Sequence, residues 1–352
     1  MMAQTRREVR SPEDPPHILW RADALLVLDQ RLLPHRIVYR RCATPAAVAA
    51  AIRDMVLRGA PLIGCAAAYG FALGARGGNR GLEKAAKLLL ASRPTAVNLA
   101  HAVGRMRDRA RALGGASVER LRAGLLDEAE RFFREDIEAN RRMARLGTGL
   151  LRKGSVVLTH CNAGALATAG VGTAVGVILH AWRAGKVRHA YACETRPYLQ
   201  GSRLTLWELM RSGVPSTLIT DNMAAHLMAT VRIDAVIVGA DRIAANGDAA
   251  NKIGTYGLAI LARHHRIPFF VVAPSTTVDL SLRDGSLIPI EERRSCEVLE
   301  FAGRRTAPKG ARARHPAFDV TPRSLITAIV TERGVVRPPS PSALRKTLSR
   351  RP

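Results

Sequence analysis

The chain has 352 residues, enough for two ordinary domains with their own cores, and its 47% hydrophobic content and mean hydropathy of -0.01 are those expected of a soluble globular protein. Its formal charge of +25 would suit nucleic acid, yet only seven of the 54 basic residues are lysine, and the arginines are spread along the chain with no aromatic-interleaved patch or zinc-finger or RNA-binding signature. Five cysteines without a C-x-x-C pair argue against a disulfide framework or a zinc site, and a charged, proline-bearing N-terminus argues against a signal peptide, so a reducing cytoplasm is expected.

Residues 1–16 read as a flexible N-terminal extension. The stretch HILWRADALLVLDQRLLPHRIVYRR, beginning at His17, looks like short strands and turns. From about Arg41 to Gly147 the apolar residues recur mostly at helical spacing, as in PAAVAAAIRDMVLRGA, PTAVNLAHAVGRMRDRARAL and SVERLRAGLLDEAERFFREDIEANRRMARLG. Residues 17–147 are therefore expected to form a smaller, mainly helical domain with a short β element.

After Gly154 the rhythm changes to β-branched runs alternating with helical segments. Strands are expected at 155–159, 187–193, 216–220, 235–238 and 268–272. Helical patterns lie between them in ALATAGVGTAVGVILHAWRAG, SRLTLWELMRSG, NMAAHLMATVR and TYGLAILARHHR. Such short connections imply right-handed βαβ units, so residues 148–337 are expected to be an α/β domain with a Rossmann-like parallel sheet flanked by helices. No charge interrupts Asn162 to Trp182, but the Gly and Ala content makes this stretch a buried helix rather than a membrane span. Gly170, Gly172 and Gly176 are spaced one residue too long for a dinucleotide fingerprint and are read as close helix packing. Residues 338–352, ending in SALRKTLSRRP, are expected to be a frayed basic tail.

Ligands of open parallel sheets bind at the carboxyl ends of the strands, and there the polar residues collect: THCNAG, CETRPYLQGSR, TDNMAA, GADRIAANGDAANKIGTYG and APSTT. Cys42, Cys65, Cys193 and Cys296 are read as small hydrophobes. Cys161 differs, because it precedes Asn162 and a Gly-rich helix entry whose positive end would lower a thiol pKa. Asp241 closes the apolar run AVIVGAD, where desolvation would keep a proton on it as a general acid, whereas pairing with Arg242 would oppose that shift. Lys252, after Asn251, leads into a helix and makes an anion site. Arg58 in RGAPLIG and Arg93 in SRPTAVN are expected to reach over the sheet from the first domain. The spacing points to an enzyme for a small phosphorylated metabolite, equipped with an acid and a thiol.

These residues resemble the methylthioribose-1-phosphate isomerases, aldose-ketose isomerases of methionine salvage. The resemblance runs from LDQRLLP through AIRDMVLRGAPLIG, SRPTAVNLAHAVGRM, THCNAGALATAG, ETRPYLQGSRLTLWEL, TDNMAAHLM and VGADRIAANGDAANKIGTYGLA to HPAFDVTPRSLITAIVTERG. The same fold serves ribose-1,5-bisphosphate isomerases and the alpha, beta and delta regulatory subunits of translation initiation factor 2B, which gives two alternatives: isomerisation of 5-deoxyribose 1-phosphate or ribose 1,5-bisphosphate, or a regulatory subunit without catalysis. The resemblance implies that Cys161 and Asp241 are the catalytic pair. It implies substrate contacts from Arg58, Gly59, Ala60, Arg93, Gln200, Asn251 and Lys252, with no metal or other cofactor. Asp241 would protonate the ring oxygen; Cys161 would take the C2 proton or stabilise charge during a hydride shift. A sugar phosphate substrate and a homodimer are expected, without membrane or nucleic-acid partners. Val171, Ala100 and His101 stand where relatives commonly carry aromatic or bulkier residues, which leaves the shape of the pocket for the 5-substituent open.

Overall fold

The computed structural model describes residues 16–94, 96–301 and 303–350, so the extension expected at residues 1–16 lies outside the described residues but for Pro16. Three antiparallel strands, β1 (Ile18–Arg21), β2 (Ala24–Leu28) and β3 (Tyr39–Cys42), turn Leu25, Val27 and Cys42 into a core shared with the helices that follow. Helix α1 (Pro45–Arg53) starts where Thr44 caps the Ala47 amide ahead of a proline, whose missing N–H costs nothing in the first turn. Helix α2 (Ala60–Leu73) is buried on nearly every side, which its Gly and Ala content permits. A Cβ on Gly64 would meet the Asn98 carbonyl at 3.0 Å, and one on Gly70 would meet Val48 at 2.9 Å. Around it pack α3 (Gly78–Ser92), α4 (Val97–Ala112) and the 32-residue α5 (Val118–Gly149).

At about 1.5 Å per residue, α5 is long enough to serve two cores. Its first turns bury Leu121, Leu125 and Ala129 against α2, and its end places Met143 against α6 (Ala174–Arg183). The chain then builds β4 (Ser155–Thr159), β5 (Val187–Cys193), β6 (Ser216–Ile219) and β7 (Ala235–Val238). A hairpin of β8 (Arg242–Ala244) and β9 (Ala249–Lys252) follows, then β10 (Phe269–Val272) and β11 (Val278–Asp279). A small ribbon, β12 (Glu300–Phe301) and β13 (Arg304–Arg305), precedes β14 (Phe318–Thr321), β15 (Ala328–Thr331) and β16 (Gly334–Val336).

Seven of these strands form one sheet in the order β16-β15-β10-β7-β4-β5-β6, parallel except for β16 at one edge. Strand side chains alternate between faces. Val156 and Leu158, Val236 and Val238, and Phe269 and Val271 enter the core on one face; Val157, Ala235, Ile237, Phe270 and Val272 enter the core on the other. Helices cover both faces, α6 with α7 (Leu206–Arg211) on one, α8 (Ala224–Thr230) with α9 (Thr255–His264) on the other. This is the doubly wound, Rossmann-like arrangement. The chain moves outward from β4 to β5 and β6, then returns to β7 on the opposite side of β4, so the strand order reverses between β4 and β7.

The five expected strands lie where the β-branched runs placed them, within a residue, but β15 and β16 were not foreseen. Helix α6 begins at Ala174 rather than Ala165, because residues 163–173 fold back on themselves through a Gly164–Gly172 bridge. Gly172 has φ of +92°, and a Cβ there would meet Gly164 at 2.4 Å, so this glycine serves a loop and not helix packing. Nor is the C-terminal segment frayed. Helix Pro341–Leu348, capped by Ser340, buries Leu344 completely against the core that holds Val336. Its amphipathic spacing was hidden by the density of basic residues around it. Leu344→Ala is expected to lower the free energy of unfolding by about 2–5 kcal/mol in urea titration; an unchanged midpoint would mean that this helix does not dock.

Candidate active site

In an open α/β sheet the crevice opens where the strand order reverses, at the carboxyl ends of the strands. Here those strands are β4 and β7, hydrogen-bonded neighbours whose ends lead to Cys161 and Asp241. Both residues line a pocket of about 670 Å³, partly open to solvent. All nine residues singled out from the sequence line it: Arg58, Gly59, Ala60, Arg93, Cys161, Gln200, Asp241, Asn251 and Lys252. Met55, Asn162, Arg293 and Phe318, which sequence reasoning passed over, line it too.

Cys161 occupies the left-handed region with φ of +65°, an uncommon conformation for a residue with a Cβ, and neighbours hold it there. Its amide donates to Thr195 Oγ1 at 2.8 Å, and its carbonyl accepts from Thr205 Oγ1 at 2.5 Å. The expected helix N-terminus is absent from this point, since the next helix begins only at Ala174. Burial pushes the thiol above its ordinary range, while Lys252 and Arg58 pull it down. Asp241 is likewise raised by burial, against the pull of Lys252, Arg93 and Arg58. Arg242 does not pair with it; its guanidinium approaches Asp279 at 3.7 Å. The Asp241 amide donates to the Ala250 carbonyl at 2.9 Å, which ties the acid to β9.

Arg58 is 5% exposed and fixed at each nitrogen. Nε donates to Gln30 Oε1 at 3.1 Å, Nη1 to the Asn162 carbonyl at 2.8 Å, and Nη2 to Asn162 Oδ1. Asn162 in turn donates to Glu208 Oε1 at 2.8 Å, and Glu208 accepts the Ala165 amide at 2.7 Å. Glu208 is buried, and its pKa is raised by that burial and restrained by Asn162, Ala165 and Arg58. Gly59 has φ of +97°, and a Cβ there would lie 2.5 Å from Ala167 Cα. That close approach brings the N-terminus of α2, with the partial positive charge of its free amides, to the pocket wall.

The opposite wall is built by β9 and β14, paired so that Phe318 faces Lys252. The Lys252 ammonium donates to the Ala317 carbonyl at 2.9 Å and lies 4.3 Å from the Phe318 ring centroid. Lys252 is therefore at a strand end; burial lowers its pKa, while Cys161 and Asp241 raise it. Asn251 Nδ2 donates to Thr255 Oγ1 at 3.0 Å. Gln200 is 2% exposed, and its Oε1 has no hydrogen-bond partner among the described residues. Arg93 and Arg293 complete a ring of cations with Arg58 and Lys252. Arg293 lay hidden in the charged run EERRSCE, which has no distinguishing spacing. His160, Cys193 and Asp221 are the group among the described residues with metal-ligand chemistry, their donor atoms within 4.8 Å of one another. Within this group, His160 Nε2 is engaged by the Ile253 carbonyl and the Asp221 carboxylate by the Thr195 and Arg196 amides.

Neither Val171, Ala100 nor His101 lines this pocket. His101 faces a separate cavity of about 1380 Å³, between α4 and α5, that shares only Pro61 and Pro274 with it. The departures at these positions therefore fall outside the wall nearest Cys161 and Asp241.

The profile of the Initiation factor 2 subunit family matches residues 56–338. The chain is 54% identical to the methylthioribose-1-phosphate isomerase of Chloroflexus aurantiacus, over 95% of this chain and 99% of that one. It is also 54% identical to the methylthioribose-1-phosphate isomerase of Pelotomaculum thermopropionicum, over 94% and 93% of the two chains. Among solved structures, the 5-methylthioribose 1-phosphate isomerase of Pyrococcus horikoshii superposes with a TM-score of 0.88 at 44% identity, covering 94% of this chain and 95% of that one. A structure described as translation initiation factor eIF-2B, subunit delta, from A. fulgidus superposes at 0.84 with 44% identity, covering 94% and 98%.

The contact of Gly59 with Ala167 leaves no room for a methyl group. Gly59→Ala is expected to cost upwards of about 1 kcal/mol of stability in chemical denaturation, from backbone strain and displacement of the 163–173 loop. Wild-type stability would contradict the close approach.

Proposed function

This chain belongs to the Initiation factor 2 subunit family, and on that premise we propose that it is an aldose-ketose isomerase that converts 5-methylthioribose 1-phosphate to 5-methylthioribulose 1-phosphate in methionine salvage. The observation that carries the reading is the convergence, in one pocket, of a partly buried acid, a thiol and four cations. A phosphate ester needs the cations, and ring opening needs the acid. The remaining wall sets apolar Met55, Pro61, Ala163, Ala167 and Pro274 beside the uncharged Asn162, Thr168 and Thr173, and an apolar stretch of this kind suits a methylthio group better than a second phosphate.

The anomeric oxygen of the substrate is tied up as a phosphate ester, so the ring cannot open as a free sugar does. Arg58, Arg93 and Lys252 bind the phosphate, the α2 N-terminus with Gly59 and Ala60 adds partial positive charge, and Gln200 and Asn251 take sugar hydroxyls. Asp241, raised by burial, delivers its proton to the ring oxygen. The C1–ring oxygen bond breaks, leaving positive charge shared between C1 and the phosphate ester oxygen. Hydride then moves from C2 to C1, and the C2 hydroxyl returns a proton to the Asp241 carboxylate as it becomes a ketone. No net proton is consumed. Cys161, whose thiol burial holds protonated, lends its polarisable sulfur to the cation instead of acting as the base.

No helix among the described residues is long and apolar enough to cross a membrane, and the five cysteines are unpaired. We place the enzyme in the cytoplasm as a homodimer, without a nucleic-acid partner; many of its arginines are spent on ion pairs such as Arg105 with Glu128 and Arg107 with Glu83.

Turnover without added metal or nucleotide is expected to favour 5-methylthioribose 1-phosphate over 5-deoxyribose 1-phosphate and ribose 1,5-bisphosphate. Asp241→Asn should lower that turnover by about 10²–10⁴-fold with substrate still bound. Equal turnover by the variant would remove Asp241 from the chemistry; preference for the bisphosphate would overturn the apolar assignment. With substrate deuterated at C2, the hydride route retains the label at C1 of the ketose, and complete washout into water would establish proton transfer to a base in its place.

A further inference from the structure

Arg93 enters the pocket from the end of α3. Its side-chain partner among the described residues is Glu291, whose Oε2 lies 3.0 Å from Arg93 Nη2 although the two are 198 positions apart in the chain. Arg293 is held differently. It grips Glu297 with Nη2 at 2.7 Å and Nε at 3.2 Å, and only its Nη1 turns to Glu291, at 3.5 Å. Losing Glu291 would leave Arg293 anchored and Arg93 adrift. Glu291 itself is fixed through its backbone, since its carbonyl accepts the Ala317 amide at 2.8 Å, beside the same Ala317 whose carbonyl receives the Lys252 ammonium.

We propose that Glu291 is a positioning residue for phosphate binding: it holds the Arg93 guanidinium across the cleft from behind the pocket wall and leaves the remaining donors of Arg93 to the ligand. The inference rests on the reading that Arg93 binds the substrate phosphate. Glu291 does not line the pocket and touches no reacting atom; it acts through Arg93, and its negative charge adds a small upward push to Asp241. Its second effect is to offset charge. Four cations crowd one pocket, and a single carboxylate between Arg93 and Arg293 reduces their mutual repulsion before a phosphate arrives. The pair also links the helical N-terminal part of the chain to the segment after β11, so holding Arg93 and holding the cleft together are one interaction.

The test combines steady-state kinetics on 5-methylthioribose 1-phosphate with calorimetric titration of inorganic phosphate, for the wild type, Glu291→Ala, Glu291→Gln, Arg93→Ala and the Arg93→Ala/Glu291→Ala double variant. Glu291→Ala is expected to raise KM and the phosphate Kd about tenfold with kcat within about twofold, because the hydrogen bond to Arg93 serves binding and the charge of Glu291 is the smallest of the influences on Asp241. Glu291→Gln, which keeps the acceptor and the shape, should fall between the two. In the Arg93→Ala background, removing Glu291 should add nothing. Additive effects in the double variant, or a fall in kcat with KM unchanged, would overturn the positioning role. Unweakened phosphate binding by Arg93→Ala would instead overturn the reading of Arg93 as a phosphate ligand.

Discussion

The buried chain Glu208–Asn162–Arg58–Gln30 is the interaction on which the rest of the site depends. It runs from α7, through the loop after β4, to the turn before α2 and on to the second residue after β2. Each member satisfies the next, so a carboxylate and a guanidinium are both buried without being left alone. Breaking such a pair on one side strands the other charge in a medium that cannot solvate it. The network therefore does more than stabilise: it sets the distance between the helical part of the chain and the sheet, and that distance defines the pocket. Gly59 and Gly164 permit it, since a side chain at either would collide with Ala167 or with the Glu208 carboxylate.

Within that frame the electrostatics are a balance between burial and charge. Desolvation raises Asp241 and Cys161 and lowers Lys252, so each group is pushed toward its neutral form. Mutual attraction pulls in the opposite direction, and burial has the larger effect for all three. The pocket thus keeps an acid able to give a proton while still presenting positive charge from Arg58, Arg93 and Arg293 to a phosphate. The strand reversal explains why an acid and a thiol meet at all, because it brings the ends of β4 and β7 side by side although they are far apart in sequence.

Much of this was legible in the sequence for physical reasons. Parallel strands buried on both faces read as continuous β-branched runs, so β4, β5, β7 and β10 stood out, and polar motifs at their ends marked the crevice. Other features depend on tertiary partners and leave no local trace. The loop at 163–173 looks helical by composition and is held open by Glu208 and Gly172. Arg242 beside Asp241 could have paired with it, and only the fold directs it to Asp279. Arg293 is one arginine among many until the His315 carbonyl and Glu297 place it in the pocket. In the final helix, Leu344 and Thr347 are buried among basic neighbours, too short a pattern to distinguish docking from fraying.

The most direct measurement is a crystal structure with 5-methylthioribulose 1-phosphate bound. The phosphate is expected within hydrogen-bonding distance of Arg58, Arg93 and Lys252, with C1 and C2 between the Cys161 sulfur and the Asp241 carboxylate and the methylthio group against Met55 and Pro61. A phosphate bound elsewhere, or a sugar whose C1 and C2 lie beyond reach of both Cys161 and Asp241, would contradict this placement.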